Sequence, residues 1–212
     1  MALINGVILA GGQGSRMQYQ DKPLLSLAGR PLLTHVITLA RPQVENLVIS
    51  VNSNLTAYQR FGLPLVTDRS TPHRGPLTGL CSAMEWCREQ GQHDGFLACF
   101  PADVPCFPDD VVTTLLSALR ALRGRLPDNP ETGETVAWCK TGAQIQPLFS
   151  LWPVTCLPRL QEAVRLGIHG PRLYFRTNPN LTVLLPAPQP PLFFNINTPQ
   201  DLAHAERLLR TG

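Results

Sequence analysis

The sequence predicts an α/β domain built on a mostly parallel sheet, and three observations carry that reading. Short apolar runs bounded by Gly and Pro alternate with longer segments of helical period along the 212 residues, the pattern of successive βα units. The first apolar run ends directly in a cluster of glycines, as does a βα turn that lets a ligand approach the backbone. With 43% hydrophobic and 16% charged residues, the chain can bury one sizeable core, which excludes disorder over its length.

The elements follow in order. Residues 3–9 carry no basic leader and run straight into Gly11-Gly12, so they read as the opening strand and not as a signal peptide. Further strands are expected at 47–51, 64–66, 95–100, 134–139, 145–151 and 181–185. Helices fit 31–41, 54–61, 76–91, 108–122, 153–167 and 198–210. Pro31, Pro76 and Pro108 stand where a first-turn proline costs nothing, and Thr198-Pro199-Gln200-Asp201 offers a cap, a proline at the first helical position and an acid in the first turn. Between Arg123 and Glu134 lies Gly-Arg-Leu-Pro-Asp-Asn-Pro-Glu-Thr-Gly, which reads as a flexible connection. The proline-rich run 186–191 reads as an extended surface connector.

Composition excludes several classes of function. The formal net charge is +3, and the 16 arginines and two lysines, Lys22 and Lys140, are scattered along the chain. A nucleic-acid footprint is therefore not expected, whereas a polyanionic small substrate is compatible. The longest charge-free stretch, Thr177 to Gln200, holds six prolines and cannot span a membrane as a helix. The six cysteines form no Cys-x-x-Cys pair, which argues against structural zinc and for reduced thiols, several acting as small hydrophobes. A cytoplasmic protein is expected.

The chemistry-bearing signal is Leu9-Ala10-Gly11-Gly12-Gln13-Gly14-Ser15-Arg16-Met17, followed by Asp21-Lys22-Pro23. Three glycines in four positions point consecutive N–H groups toward an anion, and Arg16 and Lys22 add positive charge. Neither a Walker A loop nor a dinucleotide fingerprint fits: Ser15 follows Gly14, and Met17 stands where a third fingerprint glycine belongs. Taken alone, the segment also fits a glycine-rich βα turn with surface cations. Pro23 biases Lys22 toward an extended backbone. The second signal is the strand Phe96 to Phe100 ending in Pro101-Ala102-Asp103-Val104-Pro105. Ligands of open parallel sheets bind at the carboxyl ends of strands, and one carboxylate there suits Mg²⁺, which completes its shell with water and phosphate oxygens. Asp103 alternatively serves a turn. Asn52 and Asp68 end two other strands, where each fits a base or ribose contact or an Asx turn. Gly79, near the start of a helix, fits either a ligand approach past free N–H groups or close packing. His35, on a helical face, is read as a core or rim residue.

Taken together and in order, the glycine loop with Arg16 and Asp21-Lys22-Pro23, Asn52, Asp68, Gly75-Pro76-Leu77-Thr78-Gly79, Pro101-Ala102-Asp103-Val104-Pro105 and Asn195-Ile196-Asn197-Thr198-Pro199 resemble the molybdenum cofactor guanylyltransferases. Gln18 departs from the family's usual glycine, and the polar stretch at 123–134 is longer than its pattern. The resemblance implies a Rossmann-like α/β/α fold of nucleotide-diphospho-sugar transferase type, with one antiparallel strand, as a single domain over 1–212. Residues 1–122 would bind the nucleotide and 134–212 the acceptor. It implies transfer of GMP from GTP to molybdenum-carrying molybdopterin, with Mg²⁺ as cofactor and molybdoenzyme apoproteins or cofactor chaperones as further partners. Leu9, Ala10, Gly11, Gly12, Lys22, Asn52, Asp68, Gly79 and Asp103 would line the GTP site. Arg16, Lys22 and Asp103 would be catalytic, Asp103 would hold the metal, and Arg172, Asn195 and Asn197 would meet the acceptor; from the residues alone Arg172 fits a surface arginine equally well, and Asn197 also fits positioning the Thr198 helix start. A cytidylyl- or sugar-phosphate nucleotidylyltransferase shares the loop, Lys22 and Asp103, and a nucleotide-binding carrier without catalysis is the alternative of a different class.

Overall fold

The structure, a computed structural model, describes residues 3–11, 21–69, 75–186 and 193–211, with side chains through Arg207. In chain order the elements are β1 (Ile4–Leu9), β2 (Ser26–Leu27), β3 (Arg30–Pro31), α1 (Leu32–Ala40), β4 (Asn46–Ser50), α2 (Leu55–Gln59), β5 (Leu65–Val66), α3 (Pro76–Glu89), β6 (Phe96–Pro101) and α4 (Val111–Arg125), then β7 (Val136–Thr141), β8 (Gln144–Pro153), α5 (Leu157–Arg165), α6 (Pro171–Tyr174), β9 (Asn180–Leu185) and α7 (Pro199–Thr211).

Among the described residues seven strands form one sheet in the order β5-β4-β1-β6-β8-β7-β9. Pairing is parallel except on both sides of β8, which runs against β6 and β7. The expected mostly parallel sheet with one antiparallel strand is therefore present. Successive side chains of a strand face opposite sides, so adjacent residues of β1 feed separate cores. Ile8 packs with α1 and α4 (Leu33, Val36, Leu115), and Val7 packs with α3 and α5 (Leu77, Leu80, Leu160). Two helical layers on two sheet faces give the three-layer architecture.

Topology places the site. The chain leaves β1 through α1 toward β4 and then β5, and α3 carries it back across to β6 on the other side of β1. Beta1 is thus the point where strand order reverses, and a crevice opens at the carboxyl ends there. The ladder continues past β1 on both sides: Ala10 N–H donates to Ser50 O at 2.9 Å and Ala102 N–H to Leu9 O at 3.2 Å.

Several expectations are corrected. Strands β2 and β3 are an unforeseen hairpin closed by Ala28-Gly29, both at positive φ (50° and 80°), as a two-residue turn requires. With Leu27, Leu32, Ile196 and Ala205 it forms a third, small core under α7. Helix α4 begins at Val111, three residues after Pro108, and Gln43 Oε1 accepts its Val112 N–H at 3.1 Å. Pro31 precedes α1 in the cap position, whereas Pro76 does open α3.

The stretch after α4 is a tied turn, not a flexible connection. Asn129 Oδ1 accepts Glu131 N–H at 3.0 Å, and the Arg123 guanidinium donates to Thr132 O at 3.2 Å and Gly133 O at 3.3 Å. Thr132 is buried. Alpha6 is a single turn that the periodicity did not mark. All six cysteines are free thiols, and all but Cys106 are buried. Burial pushes the Cys81, Cys139 and Cys156 thiols up to about 12, so they stay neutral and serve as apolar filling. Among the described residues no helix is long and apolar enough to cross a membrane.

Candidate functional site

Four strand ends build the rim of the crevice: Ala10 and Gly11 after β1, Asn52 after β4, Asp68 after β5 and Asp103 after β6. Gly11 is exposed, and a Cβ built on it would lie 3.5 Å from Asn52 Nδ2, so this turn passes close to the end of β4. Gly12 and Arg16 lie outside the described residues.

At the centre stands Lys22. Its Nζ donates to Asp103 Oδ2 at 2.7 Å and to Asn197 Oδ1 at 2.7 Å, and both ionised side chains are largely covered, 17% exposed for Lys22 and 28% for Asp103. Here the expectation for the backbone is corrected: Lys22–Leu24 is one 3-10 turn, and the extended residue is Asp21 (φ −71°, ψ 93°). A single turn accommodates Pro23 in its second position because no earlier N–H bond is lost. Asp21 anchors this turn to α2, accepting from the Tyr58 hydroxyl at 2.5 Å and from Asn54 Nδ2 at 3.2 Å. Burial of Tyr58 and the neighbouring Asp21 carboxylate raise the phenol's pKa far above its ordinary value, so it remains a donor.

Asn52 and Asp68 hold one another. Asn52 Nδ2 donates to Asp68 Oδ2 at 2.8 Å, and Asp68 N–H returns a bond to Asn52 Oδ1 at 2.8 Å. The pair closes the β4 and β5 ends into one polar ledge. Arg69, next along, pairs with Glu89 at 2.6 Å and lays this segment against α3. Gly79 is buried where α3 crosses β1 and β4; a Cβ there would lie 2.5 Å from Ser50 Oγ and 3.1 Å from Leu9 Cδ2. The absence of a side chain at Gly79 thus brings α3 down onto the sheet at the rim. The first turn of α3 is already engaged, since Leu77 N–H meets His169 O and Thr78 N–H meets Gly75 O, each at 3.3 Å.

The C-terminal residues close the other side. Phe193 N–H donates to Cys106 O at 2.8 Å and Ile196 N–H to Asp103 O at 2.9 Å, which stitches 193–196 onto the loop after β6. Asn197 follows with its side chain on Lys22, while Asn195 is exposed. The expected cap of α7 forms, with Asp201 N–H on Thr198 Oγ1 at 3.1 Å. Arg172 is exposed on α6, three residues past His169, whose carbonyl touches the start of α3. His35 is a core residue, its Nε2 2.9 Å from Leu27 O. The structure therefore brings Lys22, Asp103 and Asn197 into contact and pairs Asn52 with Asp68, and it sets Arg172 apart on the neighbouring α6. Motif reading missed Asp21 and Asp201 as anchors. The four-residue spacing of Asp201 from Asn197 and its place after Thr-Pro were the available signal.

Among the described residues no three His, Cys, Asp or Glu side chains gather as a metal cluster. Among the described residues Asp103 offers a carboxylate beside the Lys22 ammonium, which fits a hard cation held mostly by phosphate and water oxygens and not a metal caged by protein.

Residues 6–181 match the family described as a MobA-like NTP transferase domain. The chain belongs to this family. A molybdenum cofactor guanylyltransferase of Bradyrhizobium sp. is 34% identical over 206 residues, 97% of this chain and 92% of that one. One from Cupriavidus pinatubonensis is 40% identical over 157 residues, 74% of each chain. Among solved structures, the molybdopterin-guanine dinucleotide biosynthesis protein A of Archaeoglobus fulgidus superposes with a TM-score of 0.73 at 21% identity, covering 98% of this chain and all of that one. That likeness bears on the fold alone: this MobA-like chain has the same α/β architecture.

Proposed function

We propose that this protein transfers GMP from GTP to the terminal phosphate of molybdenum-carrying molybdopterin, yielding the guanine dinucleotide form and pyrophosphate. The observation that carries the reading is the meeting of Lys22, Asp103 and Asn197 at the strand-order reversal, beside the turn at Gly11. Leu9, Ala10, Gly11 and Gly12 line the nucleotide, the Asn52–Asp68 ledge takes the nucleoside, and Gly79 admits α3 beside it. Residues 1–122 handle the nucleotide, and 134–212 bring Arg172, Asn195 and Asn197 to the acceptor. We read it as a cytoplasmic enzyme, with molybdoenzyme apoproteins or cofactor chaperones receiving its product.

A phosphate monoester is nucleophilic near neutral pH, so the chain needs no Ser, Cys or His nucleophile. An acceptor oxygen forms a bond to the α-phosphorus of GTP as the bond to the β-phosphate oxygen breaks, and pyrophosphate departs with the electron pair. Lys22 and Arg16 offset the charge that develops on the leaving group, and Asn197 keeps the Lys22 ammonium in place. Asp103 is the side chain that would hold Mg²⁺. When bound, the ion supplies charge neutralisation across the phosphates.

Two measurements test the reading. GTP with Mg²⁺ should raise the melting temperature more than CTP, UTP or ATP at equal concentration, and mixing protein, GTP, Mg²⁺ and loaded molybdopterin should give pyrophosphate and the guanine dinucleotide. Preferential stabilisation by CTP would move the protein to the cytidylyl branch, and absence of pyrophosphate release would leave a carrier. Lys22→Ala is expected to slow release about 10²-fold, the scale for removing one positioned donor from a developing charge.

A further inference from the structure

The inference rests on the assignment of Lys22 to the nucleotide phosphates and concerns what holds that ammonium still. Asp201 lies in the first turn of α7, and its Oδ2 accepts two backbone N–H groups, from Asn197 and from Thr198, both at 2.8 Å. The peptide so fixed carries the Asn197 carboxamide, whose Oδ1 accepts from Lys22 Nζ at 2.7 Å. On the other side of Asn197, Ile196 is fully buried in the small third core and bonded to Asp103 O. Asn197 is thus clamped fore and aft, and the aft clamp is the Asp201 carboxylate.

We propose that Asp201 is a positioning residue for Lys22, acting through Asn197, in addition to capping α7. An ammonium is tetrahedral. Once two of its hydrogens are committed to Asp103 and Asn197, the third has a defined direction, and among the described residues no hydrogen bond takes it. Loss of the Asp201 clamp frees the Asn197 peptide to rotate, and Lys22 then keeps only Asp103, around which the ammonium can swing. The Asn197 N–H first, then the Thr198 hydroxyl and N–H, hold the Asp201 carboxyl below the usual carboxylate range, with the Lys22 charge adding to the effect, so the clamp is ionised at neutral pH.

A helix cap alone offers a competing account of the same hydrogen bonds, and Thr198 separates the two. Thr198→Ala deletes the reciprocal bond to Asp201 N–H and the hydroxyl's own support of the carboxylate, and it leaves both backbone N–H bonds that Oδ2 accepts. The chain has only two lysines, so protein labelled with ¹⁵Nζ-lysine reports one ammonium resonance for Lys22 and one for Lys140. In Asp201→Ala the Lys22 resonance is expected to shift and exchange with solvent about tenfold faster, with Lys140 unmoved. The kcat for pyrophosphate release should fall about tenfold, as on losing an outer partner of a site group, with KM for GTP within about twofold.

Thr198→Ala should lower the melting temperature by about 2–4 °C and leave the Lys22 resonance and kcat as in the parent. Asp201→Glu, the ordinary third-position partner of a threonine cap, should restore both. The proposal is overturned if Asp201→Ala lowers stability without moving the Lys22 resonance, or if Thr198→Ala moves it equally. A parent protein that releases no pyrophosphate from GTP overturns the functional reading alone, because the ammonium spectra still decide the placement.

Discussion

Asp103→Ala is expected to lower Mg²⁺-dependent transfer about 10³-fold while the protein stays folded. The side chain ends β6 at the rim, and its described contact is the 2.7 Å pair with Lys22. What attaches the loop to the rest of the molecule is its backbone: Asp103 O accepts Ile196 N–H, and alanine keeps that bond. The pair is largely covered, but Lys22 keeps its Asn197 acceptor in the variant, so the loss should stay at about 1–3 kcal/mol and the protein should remain folded. The activity loss is larger because a metal's charge acts where negative charge develops, and that is worth several kcal/mol. Asp103→Asn is the sharper variant, since its carboxamide still accepts from Lys22 but brings no charge to a cation. Mg²⁺ titrations of pyrophosphate release on both variants decide the point. Turnover within about tenfold of the parent at saturating Mg²⁺ would remove Asp103 from the metal.

Gly75→Ala should cost about 3 kcal/mol of stability and weaken the acceptor side of the site. Gly75 sits at φ +83°, ψ 179°, a region that side chains other than hydrogen avoid at a cost of about 1–3 kcal/mol. The space is closed as well: a Cβ would lie 2.7 Å from the carbonyl oxygen of His169, the same oxygen that accepts Leu77 N–H at the start of α3. Backbone cannot swing aside as a flexible side chain does, so the 169–172 segment must retreat and carry Arg172 with it. Urea unfolding reads the stability, and KM for molybdopterin should rise while KM for GTP changes little. A variant as stable as the parent within about 0.5 kcal/mol would show that this turn does not need its glycine.

The parts legible in the sequence were those with periodicity behind them. Beta1, β4 and β6 announce themselves as apolar runs, and helices α1, α3, α5 and α7 as longer patterned segments, so the crevice between them was predictable. The β2–β3 hairpin was not, because strands of two residues have no period to detect. The turn after α4 was misjudged for a related reason. Its Pro, Asn and Gly spell turn chemistry, but what ties it is the Arg123 guanidinium reaching back to Thr132 and Gly133, a contact that composition does not record. Lys22 and Asp103 stood out as residue types in telling places. The contacts around them did not, because Asp21 meets Tyr58 across 37 residues and Lys22 meets Asn197 across 175.

That last separation has a consequence in time. The ribosome delivers Lys22 and Asp103 long before Asn197, and the clamp from Asp201 comes later still. A nascent chain that has already paired β1 with β6 therefore carries the ammonium and its carboxylate without the third contact, and contacts this distant in sequence form slowly. The site reaches its final geometry only when α7 docks, so partly synthesised or C-terminally clipped chains should bind nucleotide before they can align it.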